Sequence, residues 1–269
     1  MTNSSLIFVG LGLYDEMDIS LKGIEVIKKC DKVFAEFYTA KLFGTNIEKI
    51  EETVGKKIEV LSREKTEKGD IVLNSSKEEK VVFLTCGDSM TATTHVDLRL
   101  RAIDMGIYTE VIHGSSIVTA VPGLLGLQNY KFGRATTLAF PEKDYFPISP
   151  YEIIRDNKSM GLHSLVLLDI QVDKKKYMTA NEGIDLLLKM EKKICEGLFT
   201  NNSIICVVAR AGSSDVLVAA DRISALKDRE YGPPLHTIVI PGKLHFMELE
   251  ALNKVAGLPL DHCKKLQKL

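Results

Sequence analysis

Short apolar, β-branched runs alternate along this chain with stretches whose apolar positions recur every three to four residues, the pattern of strands interleaved with helices. The pattern predicts strands over 6–9, 32–37, 57–61, 81–84 and 108–112. Asp18 reads as the N-cap of a helix with Leu21, Ile24, Ile27 and Cys30 on one face. A second helix is predicted over 47–54. A third opens near Thr94, with Asp97 as its capping-box-like partner and Val96, Leu100 and Ile103 on one side. The polar segment 62–80, apolar only at 71–73, reads as a solvated insertion of loop and helix. Strand and helix in alternation predict a mostly parallel sheet covered by helices.

After Val121-Pro122-Gly123 the character changes. Strands are predicted over 135–140, 164–170, 203–209 and 235–240, separated by longer helices. Thr179 and Glu182 form a capping box ahead of Ile184, Leu187 and Leu188, and a last helix over 244–256 carries Met247, Ala251 and Val255 on one stripe. The expected fold class is α/β, with two α/β/α domains: an N-terminal domain over 1–113, a junction over 114–125 and a C-terminal domain over 126–269.

Composition narrows the function classes. Of 269 residues 45% are hydrophobic, enough for a real core, and a disordered tail protein is excluded. Basic and acidic residues balance at 35 and 36, which argues against nucleic-acid binding as the main task. Five scattered cysteines (Cys30, Cys86, Cys195, Cys206 and Cys263) read as reduced thiols, and none pairs with histidine at zinc spacing, so no metal is expected. The first residues carry no basic region of a signal peptide, and no apolar run approaches the roughly 18 residues of a membrane span. A cytoplasmic protein, without membrane or direct nucleic-acid partners, is the expectation.

The informative motifs all sit at the C-terminal ends of predicted strands, where open α/β sheets bind ligands. Gly10-Leu11-Gly12 lets backbone approach a ligand, but such turns are as often purely structural, and the third glycine of a dinucleotide fingerprint is missing. Gly87-Asp88 places a carboxylate just past a buried strand, with hydroxyls crowded over 91–95; its bland interpretation is a cap for the following helix. Gly114-Ser115-Ser116-Ile117 lies beside the expected junction. Leu167-Leu168-Asp169 and Ala209-Arg210-Ala211-Gly212 say little in isolation. A lone imidazole such as His236, after Pro233-Pro234-Leu235, is more often structural than catalytic.

Their order and spacing carry more. The strings GLGLYDE (10–16), DISLKG (18–23), FAEFYT (34–39), GDSMTATTH (87–95), VIHGSSI (111–117), YKFG (130–133), GLHSLVLLDI (161–170), YMTANE (177–182), ARAGS (209–213) and PGKLH (241–245) resemble the tetrapyrrole-methylase-like (class III) methyltransferases. ATTH together with YKFG points to the diphthine synthase branch. The resemblance implies two α/β domains with S-adenosylmethionine folded into the cleft between them, and a homodimer; the apolar stretch 216–220 is a weak second motive for the dimer. It assigns cofactor contacts to Leu13, Asp88, Thr91, Ser116, Ile117, Leu168, Ala211 and His236. Asp88 is the charged member, suited to the cofactor's ammonium or sulfonium. Two positions depart from the family: Ser89 stands where proline is usual, and Thr91 where a small apolar residue is common.

The implied reaction is repeated N-methylation of the amino group on a modified histidine of translation elongation factor 2, with three or four methyl groups left open. Methyl transfer from a sulfonium needs a neutral nucleophile held in line and no strong base, so the lack of a Ser/His/Asp constellation fits. Two other classes remain at this point. A nicotinamide oxidoreductase would place Gly10 and Gly12 under the pyrophosphate and Glu36 on the ribose. A non-catalytic translation-factor binding protein would need only the surface.

Overall fold

A computed structural model describes residues 4–142, 146–259 and 261; Cys263 and the end of the expected second domain lie outside the described residues. The chain divides into two units, Met1–Ile117 with Ile170–Lys176, and Val118–Asp169 with Tyr177–Leu269.

Unit 1 contains β1 (Ser5–Gly10), α1 (Leu21–Lys28), β2 (Lys32–Glu36), α2 (Ile47–Val54), β3 (Glu59–Leu61), α3 (Arg63–Lys68), α4 (Asp70–Ser76), β4 (Lys80–Thr85), α5 (His95–Asp104) and β5 (Tyr108–Ile112). Its strands form one parallel sheet in the order β3-β2-β4-β1-β5. Along β1, Ile7 and Val9 join one hydrophobic cluster while Leu6 and Phe8 join another, so both faces of the sheet are buried and the strand reads as an unbroken apolar run.

Unit 2 follows with α6 (Ile117–Leu125, its first residue in unit 1), β6 (Thr136–Leu138), α7 (Ser149–Ser159) and β7 (Ser164–Leu168). The pair β8 (Ile170–Gln171) and β9 (Lys176–Tyr177) comes next in the chain, all but Tyr177 assigned to unit 1; unit 2 resumes with α8 (Ala180–Ile194), β10 (Ile204–Ala209), β11 (Leu217–Arg222), α9 (Ile223–Leu226), β12 (His236–Ile240) and α10 (Phe246–Ala256). The sheet order is β11-β10-β12-β7-β6, antiparallel except for β6–β7. The Thr179–Glu182 capping box at the start of α8 is present as the sequence predicts, with Ile184 and Leu187 buried. Among the described residues no helix is long and apolar enough to cross a membrane.

Several local expectations need correction. Ser20, not Asp18, caps α1, its hydroxyl accepting the Gly23 N–H at 3.1 Å, and Leu21 is exposed. Thr94 stands at the cap position of α5 without a side-chain cap bond, and Val96, Leu100 and Ile103 face outward; the buried side is His95, Leu98 and Ala102. On α10, Met247 and Val255 are exposed, and Glu248 goes inside with Leu249, Leu252 and Ala256. In both helices a polar residue that finds partners inside sets the phase of the buried stripe. Segment 62–80 is not a solvated insertion, because α4 puts Val72 and Leu73 into the core. The stretch 216–220 is largely an edge strand, with Ala219 and Ala220 buried, Leu217 and Val218 half-buried and Val216 exposed.

Candidate active site

The ends of β1, β4 and β5 meet backbone to backbone. A Cβ on Gly10 would lie 2.5 Å from the Gly87 carbonyl oxygen and 2.6 Å from the Gly114 nitrogen; one on Gly114 would lie 2.4 Å from the same oxygen. Gly12, at φ +84°, has no room either, since a Cβ there would strike the Asp18 Cβ at 2.2 Å. These glycines serve the fold's own close packing. Gly87 differs: at φ +69° the space a Cβ would take is open. Gly12 and Gly87 exchange hydrogen bonds of 3.2 and 2.7 Å, which ties the loop after β1 to the loop after β4. The Asp18 carboxylate accepts the N–H groups of Leu13 (3.1 Å) and Tyr14 (2.7 Å) and so fixes Leu13.

Asp88 is buried just past β4. Its Oδ1 accepts from the Met90 N–H (2.9 Å) and the Thr91 hydroxyl (3.3 Å), and its Oδ2 lies 2.7 Å from Nδ1 of the exposed His113. The residue therefore braces its own turn and does not cap α5. Burial works to raise its pKa, but the Met90 N–H and the His113 ring outweigh it and hold the carboxyl below the usual carboxylate range. Ser116 is buried in the turn that leads to α6, and Ile117 opens that helix half-buried. Leu13, Asp88, Thr91, Ser116 and Ile117 thus all belong to loops leaving strand ends of unit 1.

In unit 2, Leu168 ends β7, Ala211 follows β10 and His236 opens β12, all three buried. The His236 imidazole is committed on both sides: Nδ1 accepts the Ala180 N–H at 3.1 Å and Nε2 donates to the Pro233 carbonyl at 3.0 Å. Burial lowers its pKa and keeps the ring neutral. Neither ring nitrogen is left over for a ligand hydrogen bond. Arg210, at φ +55°, is similarly occupied, its guanidinium holding Asp215 and the carbonyls of Tyr231 and Pro233.

Three of the signature strings meet elsewhere in unit 2, in a structural knot. The fully buried Glu248 carboxylate accepts from Lys131 of YKFG, from Nε2 of His163 in GLHSLVLLDI (3.0 Å) and from the N–H groups of Gln128 (2.9 Å) and His245 (2.8 Å), the last in PGKLH. The Gly242 N–H donates to Nδ1 of His163 at 2.9 Å, which fixes the tautomer.

The chain matches the family of Tetrapyrrole (Corrin/Porphyrin) Methylases over residues 5–227. A diphthine synthase of Methanocella arvoryzae is 53% identical over 258 residues, covering 95% of this chain and 99% of its own. One of Methanosarcina acetivorans is 50% identical over 259 residues, covering 94% and 97%. The crystal structure of a diphthine synthase superposes with a TM-score of 0.87 at 38% identity, covering 97% of this chain and 99% of that one.

The chain belongs to the tetrapyrrole methylases, in their diphthine synthase branch.

As a tetrapyrrole methylase it is an S-adenosylmethionine-dependent methyltransferase, and the two other readings lose their ground. Glu36, which an oxidoreductase would use on a ribose, is fully buried with both oxygens taken by Tyr38 and Thr39. The residues at the strand ends fit the methylase cofactor: the face at Gly87 is open, and a carboxylate has about four acceptor positions, of which Asp88 uses three. Thr91, the departure from the family pattern, bonds Asp88, while the hydroxyl of Ser89, the other departure, is buried without a partner. Sequence reasoning missed His113 and the pairing of His95 with its loop. The available signal was position, since His113 directly follows β5 as Gly87-Asp88 follow β4 across β1.

Proposed function

We propose that this methyltransferase is a diphthine synthase, which methylates repeatedly the amino group on the modified histidine of translation elongation factor 2. The observation that carries the reading is the 53% identity to a diphthine synthase over nearly the full length of both chains. When bound, S-adenosylmethionine supplies an electrophilic methyl group on a sulfonium. The chain's own residues bind and orient. Leu13, Asp88, Thr91, Ser116 and Ile117 are the cofactor contacts read for unit 1, and Leu168, Ala211 and His236 those read for unit 2. The free acceptor position of Asp88 suits an ammonium, and Leu168 and Ala211 offer apolar side chains with backbone polar groups beside them. His236 has no ring nitrogen left over for a hydrogen bond to it. Rate then comes from holding the acceptor amine in line with the methyl, where proximity contributes up to roughly 7–11 kcal/mol. We further propose a cytoplasmic homodimer.

The test combines the chain, S-adenosylmethionine and elongation factor 2 carrying the modified histidine. Mass spectrometry of the factor is expected to show successive methyl additions and their final number. Cofactor binding without methylation of the factor would reject the substrate, and binding of NADH in place of S-adenosylmethionine would reject the reaction class. Light scattering that reports a monomer at micromolar concentration would reject the dimer.

A further inference from the structure

The loop over 87–95 gathers unfavourable local features in nine residues. Ala92 adopts φ +57°, a left-handed conformation that a residue with a Cβ holds only when its surroundings impose it. The Ser89 hydroxyl is buried and makes no hydrogen bond. His95 is also buried; its Nε2 has no hydrogen-bond partner and lies 3.7 Å from the buried Glu36 carboxylate. Unsatisfied groups and strain of this kind cluster where a particular loop shape is needed for function.

The contacts that hold the shape converge on one atom. The Ser89 carbonyl oxygen takes the Thr93 hydroxyl at 2.8 Å and His95 Nδ1 at 3.2 Å. A carbonyl only accepts, so Nδ1 carries the proton. The ring is held further by its edge-on contact with Phe83, centroids 5.2 Å apart. Ser89 lies between Asp88 and Met90, whose N–H the Asp88 carboxylate accepts, so the carbonyl's position is transmitted directly to the turn that carries Asp88 and Thr91.

We propose that His95 and Thr93 are positioning residues which, by gripping the Ser89 carbonyl, hold the 88–91 turn in the shape that takes S-adenosylmethionine. The inference rests on the methyltransferase reading. Neither residue touches the reacting atoms, so their loss weakens cofactor binding and leaves the rate at saturating cofactor intact.

The experiment measures S-adenosylhomocysteine affinity by calorimetry, and KM for S-adenosylmethionine and kcat on elongation factor 2, for wild type, His95→Phe, His95→Asn and Thr93→Val. Phenylalanine keeps the ring and removes the donor; asparagine restores a donor where Nδ1 stands. His95→Phe is expected to lose about tenfold in affinity and KM with kcat within about twofold, the size of one lost buried hydrogen bond. His95→Asn is expected to recover most of that loss. Thr93→Val, on a half-buried loop position where valine is nearly isosteric, is expected to weaken binding in the same direction and keeps the test decisive if His95→Phe does not fold. Wild-type affinity in both Thr93→Val and His95→Phe overturns the inference, as does a His95→Asn variant no better than phenylalanine. A wild-type chain that binds no S-adenosylhomocysteine overturns the methyltransferase reading itself, and this inference with it.

Discussion

Replacing Glu248 by glutamine removes one proton-accepting oxygen from a site where four donors converge. In the native chain the carboxylate takes the Lys131 ammonium, His163 Nε2–H and the N–H groups of Gln128 and His245, and it is fully buried. A glutamine amide turns an NH2 group toward at least one of these donors and leaves the Lys131 ammonium without its anion. Burial alone would raise the Glu248 pKa, yet the His245 and Lys131 donors reverse this and bring it down to about 2 from 4.5. That difference corresponds to about 3 kcal/mol of stability at neutral pH. Breaking a buried ion pair by removing one partner gives about 3–5 kcal/mol, the same scale. The sign follows from the depressed value: the contribution is fully present above pH 4.5 and is lost as pH falls toward 2. Urea denaturation of both proteins is therefore expected to show a gap of about 3 kcal/mol at pH 7 that narrows steadily below pH 4.5. His163, whose pKa burial lowers, adds an acid-side loss of its own that begins near 6.5 in both proteins. A gap under about 1 kcal/mol at pH 7, the scale of an ordinary hydrogen bond, or one that stays constant down to pH 3, would refute the assignment of this energy to Glu248.

Three further outcomes are expected. Gly114→Ala pushes a methyl to 2.4 Å from the Gly87 carbonyl and should destabilise unit 1 by about 3 kcal/mol or more, seen as a lower melting temperature; a variant that melts like wild type contradicts the close packing. Asp88→Ala should weaken S-adenosylhomocysteine binding by about 1.5–3 kcal/mol in calorimetry, and unchanged affinity would remove Asp88 from the site. Ser89→Ala deletes a buried hydroxyl without a partner, so denaturation should find it neutral or more stable by up to about 1 kcal/mol; a clear loss would reveal a partner for that hydroxyl.

Strands were the legible part of this chain. β1, β2, β4, β7, β10 and β12 fall where apolar, β-branched runs predict them, because buried strands need little beyond such a run. Helix faces were less legible for a definite reason. On α5 and α10 the inward residues His95 and Glu248 are polar, and their partners (the Ser89 carbonyl, and Lys131 with His163) are distant enough in sequence or unusual enough in type to leave no periodic trace. Ranking positions by hydrophobicity selects Val96 and Met247, which are exposed. The cap of α1 failed in the same way: Asp18 was a reasonable cap by type, but the backbone of Leu13 and Tyr14 claims it first. For the candidate site, strand-end position located the Asp88 loop. It could not reveal that the glycines at 10 and 114 serve backbone packing, nor that His236 has both ring nitrogens committed, since those facts depend on neighbours from other elements.

The assignment of Ile170–Lys176 to unit 1, long after the rest of that unit has ended at Ile117, bears on how the protein is made. Synthesis runs from the N-terminus at roughly 5–20 residues per second, so the ribosome needs about 3–12 s more to deliver the segment through Lys176 after Ile117. The parallel sheet of unit 1 is therefore synthesised early, and the segment assigned to the same unit follows only after part of unit 2. A gene fragment cut at Ile117 would encode an unfinished module, and a fragment that begins at Val118 would carry a segment belonging to the other one. A single crossover between Ile117 and Ile170 would separate that segment from the rest of its unit.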